Sequence, residues 1–129
     1  RKAYLTSEGI YLLNYFMKNT RKTLSNKLDK LFSEKVRTLG FCERCGKTEH
    51  LQCAHIYSRK HKWLRWEKEN ALCLDAGCHM FWWHLEPAQA IRWAMTIRDF
   101  DKLDKLMQIN KPMKEFDMQE IYDKLKTTS

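Results

Sequence analysis

The sequence predicts an α+β fold in which a small β region, pinned by metal-binding cysteines, lies between two helical arms. Three observations carry this. Leu24, Leu28, Leu31, Phe32 and Val36 recur at helical spacing. That period vanishes between residues 41 and 78. Four of the five cysteines fall into two close pairs at the ends of that stretch, Cys42-x-x-Cys45 and Cys73-x4-Cys78.

At 129 residues the chain is a single domain, or one domain with an arm, and has room for only a modest core. Within 1–20 the apolar run YLLNYFM predicts a short helix. The face that starts at Leu24 predicts a longer one over 24–38. Lys27, Lys30, Lys35 and Arg37 lie on its other faces, and Gly40 stops it. In CERCG, Gly46 can relieve the backbone after the second cysteine. LQCAHIY (51–57) suits a strand, 58–70 a basic aromatic loop, and ALCL (71–74) a second strand beside the first. HMFWWH opens a short helix, Pro87 starts another over 87–98, and further helices are expected at 100–109 and 117–126. The expected organisation is a basic helical arm over 1–40, a core over 41–86 and a helical extension over 87–129.

Charge is unevenly placed. Residues 1–70 carry 16 Lys and Arg against 7 Asp and Glu, while 71–129 carry 8 against 9. A basic half beside a neutral half points to a polyanionic partner, most simply DNA. Arg59, Lys60, Lys62 and Arg65 sit among Trp63 and Trp66 in one segment and are the expected phosphate contacts, with the tryptophans either stacking on bases or packing the loop down. Trp82 and Trp83 are expected in the core. No apolar run reaches the ~18–20 residues of a membrane span, and no signal-peptide pattern is present. The expected compartment is the cytoplasm, that of the host cell if the chain is phage-encoded. No small-molecule cofactor is expected.

Five cysteines are an odd count for a disulfide framework, and nothing marks secretion. The two pairs read instead as a structural zinc clamp of Cys42, Cys45, Cys73 and Cys78, enclosing the 27 residues 46–72. Metal binding would then add to folding free energy. Cys53 shares a strand face with the histidine two residues on, His55.

The succession CERCG, CAHI, EN-ALC and CHMFWWH resembles the HNH nucleases, whose centre is a ββα-metal motif, over residues 42–84. The flanks LDKLFSEKVRTLGFCERCG and HLEPAQAIRW are similar to phage-encoded HNH proteins, recombination nucleases among them. The resemblance implies His55 as the base that activates water and Asn70 as the residue that organises the loop and the His55 ring. It implies His79 and His84 as ligands of a catalytic divalent cation, Mg²⁺ or Mn²⁺, separate from the zinc. The implied reaction is hydrolysis of DNA phosphodiester bonds, with phage or branched recombination DNA as the implied substrate. Histidine's ordinary pKa of ~6.5 suits such a base. A symmetric cut at a junction would need a homodimer.

Two features depart from that family. The position before the base, often a metal ligand there, is Ala54. The two helix histidines are five residues apart where four is usual, which on an α-helix turns them ~140° from each other. Both departures favour the alternative reading, a non-catalytic zinc-stabilised DNA-binding module.

Overall fold

A computed structural model describes residues 6–128, with the backbone alone for 16–19. The first helix is longer than either helix expected from the sequence. α1 runs without a break over Ser7–Arg37, because neither glycine nor proline interrupts residues 10–39. The Thr6 hydroxyl accepts the Gly9 N–H at 3.0 Å to open it, and Lys35 and Arg37 lie in its last turn, where cations suit the helix dipole. Gly40, at φ +85°, takes the chain out of the helix in a conformation other residues resist.

β1 (Leu51–His55) and β2 (Ala71–Asp75) form an antiparallel hairpin in which Cys53 faces Cys73 and His55 faces Ala71. Between them, the expected loop contains one helical turn, α2 (Lys62–Arg65), and a 3₁₀ turn at Lys68–Asn70. After β2 come the single turn α3 (Ala76–Cys78), a π turn at His79–Trp83, and α4 (Pro87–Met95). α5 (Phe100–Met107) and α6 (Glu115–Thr127) complete the chain.

The hairpin is covered on both faces, which explains why every residue of β2 is buried. On one face Ala54, Leu72 and Leu74 pack with Trp82, Trp83, Ala90 and Ala94. On the other, Ala71 and Trp66 join Leu24, Leu28 and Phe32 of α1 and Met113 and Met118 near the C-terminus. The two arms therefore share a core with the central motif. Each fully buried Leu or Phe stabilises this by about 1.5–3 kcal/mol. Among the described residues, no helix is long and apolar enough to cross a membrane.

Candidate metal centre and histidine cleft

Two short turns face each other at one end of the hairpin. In the first, Gly46 at φ +83° lets its N–H donate to the Cys42 carbonyl at 2.9 Å, while the Cys42 N–H donates to the Lys47 carbonyl at 2.7 Å. The second begins where β2 ends. Asp75 caps it, its Oδ1 accepting the N–H groups of Gly77 at 2.9 Å and Cys78 at 3.2 Å.

The ligand atoms of Cys42, Cys45, Asp75 and Cys78 all lie within 4.8 Å of one another. A tetrahedral zinc site with Zn–S bonds of ~2.3 Å spaces its sulfurs roughly 3.8 Å apart, so this cluster can hold a metal ion such as zinc. The donor set differs from the expected four cysteines: Asp75 stands where Cys73 was expected. Cys73 lies inside the strand, opposite Cys53, and Glu43 holds both of its outward backbone groups. The Cys73 N–H donates to Glu43 Oε2 at 2.8 Å, and its carbonyl accepts the Glu43 N–H at 2.9 Å. The chain leaves the sheet only at Asp75, so Asp75-x-x-Cys78 matches the two-residue spacing of Cys42-x-x-Cys45. That repeated spacing was a sequence signal for Asp75.

The cluster's thiols and carboxylate are tied together by hydrogen bonds. Burial, and after it the Asp75 carboxylate, push the Cys78 thiol up to about 12. Hydrogen bonds from the Cys45 and then the Cys78 thiol hold the Asp75 carboxyl well below the ordinary carboxylate range, and the Cys45 Sγ lies 2.8 Å from Asp75 Oδ2. Arg44 adds positive charge, donating to Cys78 Sγ at 3.4 Å while its guanidinium lies 4.1 Å from the centre of the Trp82 ring.

A second feature is a cleft of about 580 Å³ between α1, β1 and the π turn, lined by His55, His79, His84, Arg59, Cys53 and Asp29 among others. His79 and His84 meet there with ring centroids 4.7 Å apart. The His84 N–H donates to the His79 carbonyl at 3.3 Å, an i→i+5 bond that brings residues five apart onto one side of the chain. The divergence expected of an α-helix is thereby removed. His79 Nδ1 pairs with Gln52 Oε1 at 2.8 Å, which makes Nδ1 the donor and leaves Nε2 with a lone pair for a cation. Burial, then the nearby His84 and His55, lower the His79 pKa.

The half-buried His55 ring packs on Phe32, centroids 5.9 Å apart, and its Nε2 lies 3.0 Å from the Arg65 carbonyl oxygen. A carbonyl only accepts, so Nε2 carries the proton and Nδ1 of the neutral ring is free to take one. Burial lowers the His55 pKa; the Arg65 carbonyl opposes this and the Arg59 charge adds to it. Asn70, fully buried, accepts the Tyr57 N–H at 2.7 Å and donates to the carbonyls of Tyr57 at 3.1 Å and Leu64 at 3.0 Å. It therefore ties Leu64, the residue just before Arg65, to Tyr57, just past the end of β1.

Arg59 lines the cleft with its side chain 63% exposed and its Nη1 3.7 Å from Asp29 Oδ2, a loose ion pair, and Lys60 and Lys62 are exposed. Arg65, also expected to contact phosphate, is engaged within the protein. Its guanidinium forms a bidentate pair with Asp29 of α1, Nε to Oδ1 at 2.9 Å and Nη2 to Oδ2 at 2.6 Å. Trp66 is buried and Trp63 half-buried with its Nε1 donating to the Lys111 carbonyl at 2.8 Å, so both pack the loop down. Trp82 and Trp83 are buried, as expected.

The cysteine and aspartate cluster is the one grouping of three or more His, Cys, Asp or Glu side chains close enough to share an ion among the described residues. His79 and His84 can supply two ligands to a cation, but among the described residues no third His, Cys, Asp or Glu lies close enough to share an ion with them. Asp29, the acidic residue of the cleft, has both oxygens engaged by Arg65 and Trp66. No family model, curated protein or solved structure matches the chain.

Proposed function

We propose that this chain is a metal-dependent DNA endonuclease of the HNH type, built on a zinc-stabilised ββα motif. The observation that carries the reading is the convergence of His55, His79 and His84 on one cleft rimmed by the exposed cation Arg59. His55 is the base: its Nε2 is occupied by the Arg65 carbonyl, so Nδ1 takes the proton from the attacking water. His79 and His84 would hold a divalent cation, Mg²⁺ or Mn²⁺, whose chemistry is to stabilise charge on the phosphate and the departing oxygen. Two imidazoles are a softer donor set than Mg²⁺ prefers, so Mn²⁺ or a later transition ion would suit the histidines better, with water and phosphate oxygens completing its shell. Arg59, with Lys60 and Lys62, holds the DNA backbone in register. Plasmid and branched DNA, incubated with Mg²⁺ or Mn²⁺, test this: metal-dependent cutting is expected.

A non-catalytic DNA-binding module is the second reading, and one observation favours it. Among the described residues lining the cleft, the one carboxylate is Asp29, and it is engaged by Arg65, Trp66 and Arg59, while Ala54 supplies none. DNA binding with a steep salt dependence, but no cleavage under any divalent metal, would establish it.

A further inference from the structure

We infer that Asp29, on α1 and outside the segment that resembles the nuclease motif, is the positioning residue for His55. This rests on the reading of His55 as the base. The carbonyl that accepts the His55 Nε2–H belongs to the peptide joining Arg65 to Trp66. Asp29 binds the side chains on both sides of that peptide. Its Oδ1 accepts Arg65 Nε at 2.9 Å and Trp66 Nε1 at 2.9 Å, and its Oδ2 accepts Arg65 Nη2 at 2.6 Å. One carboxylate therefore fixes the peptide at two points, and charge-assisted bidentate bonds are the strong kind.

The same helix also touches the ring directly. Phe32, one turn after Asp29, packs on His55. α1 thus holds the imidazole by its face through Phe32 and by its N–H through Asp29, Arg65 and the carbonyl. Asn70 secures that segment from the other side through the Leu64 carbonyl. The Asp29 anchor makes Nε2 the protonated atom and leaves Nδ1 as the acceptor.

The experiment uses the full chain loaded with zinc and ¹⁵N-labelled at histidine. Imidazole spectra give the His55 tautomer, and plasmid cleavage with Mg²⁺ or Mn²⁺ gives kcat and KM. Wild type is expected to show a single Nε2–H tautomer. Asp29→Ala should give a mixture and lower kcat by roughly 10–100-fold, the scale seen when a partner that orients a metal-ligating histidine is removed; it also releases Arg59 from its 3.7 Å ion pair, so the tautomer and kcat, not KM, are the readouts. Asp29→Asn, which keeps one acceptor and the side-chain shape, should fall between. Glu34→Ala, an equal charge change on an exposed part of the same helix, should alter neither readout.

An Nδ1–H tautomer in wild type, or a wild-type tautomer and kcat in Asp29→Ala, would overturn the inference. So would loss of zinc and fold in Asp29→Asn, which would make Asp29 a stabilising residue first. Failure of the nuclease reading looks different: no DNA is cut by wild type, while the tautomer still responds to Asp29.

Discussion

His79 and His84 stand five residues apart in the chain, yet their ring centroids lie 4.7 Å apart because a π turn replaces the α-helix between them. The i→i+5 bond from the His84 N–H to the His79 carbonyl makes this spacing equivalent to the usual four. Such turns are rare and frequent at functional sites. Deleting Met80 should restore α-helical spacing but rotate Trp82 and Trp83 out of the core, so it is expected to unfold the motif. His79→Ala and His84→Ala should instead keep one zinc per chain and the fold, while cleavage falls at least roughly 100-fold. Metal analysis beside plasmid cleavage checks both.

The donor set of the candidate metal cluster is tested by comparing two strand residues. Asp75→Ala should weaken zinc binding at least roughly tenfold and also remove a helix cap worth about 1 kcal/mol. Cys73→Ser should retain stoichiometric zinc. Competition with a chromophoric chelator reads the affinity, and zinc loss in Cys73→Ser with retention in Asp75→Ala would restore the four-cysteine site.

The basic segment divides into contacts of different kinds. Arg59→Ala, Lys60→Ala and Lys62→Ala should each reduce the slope of log binding constant against log salt by about one. Arg65→Ala should leave the slope unchanged and destabilise the fold by about 2 kcal/mol, because it strips Asp29 of a partner. Fluorescence anisotropy over a salt series and thermal melts distinguish the two outcomes.

Burial lowers the His55 pKa, outweighing the Arg65 carbonyl. On the nuclease reading His55 is the base, and a base with a lowered pKa stays neutral to a lower pH, so it is lost to protonation only below histidine's ordinary ~6.5. The acidic limb of the cleavage rate should therefore lie below pH 6.5. A limb at or above that value would show that His55 is not the group titrating.

Much of this was legible in the sequence because it is local. The leucine stripe of α1, the strands of the hairpin and the Cys42-x-x-Cys45 turn follow from spacing alone, and so do three members of the metal cluster, Cys42, Cys45 and Cys78. Asp75 was obscured because cysteine outranks aspartate as a zinc ligand, although its spacing to Cys78 carried the signal. The role of Arg65 was hidden because its partner, Asp29, lies 36 residues away, and no periodicity joins a helix to a distant loop. The π turn was equally hidden: an α-helix is the default for HMFWW, and the five-residue histidine spacing was the one trace of anything else.

The most direct test of the central claim sets wild type beside His55→Ala on supercoiled plasmid, with Mg²⁺, Mn²⁺, Ni²⁺ or no added metal. Both are first shown to bind one zinc and to melt alike. Metal-dependent cutting by wild type, reduced at least roughly 100-fold in the variant, is the expected result. Equal cutting by both, or DNA binding without cutting by either, would contradict it.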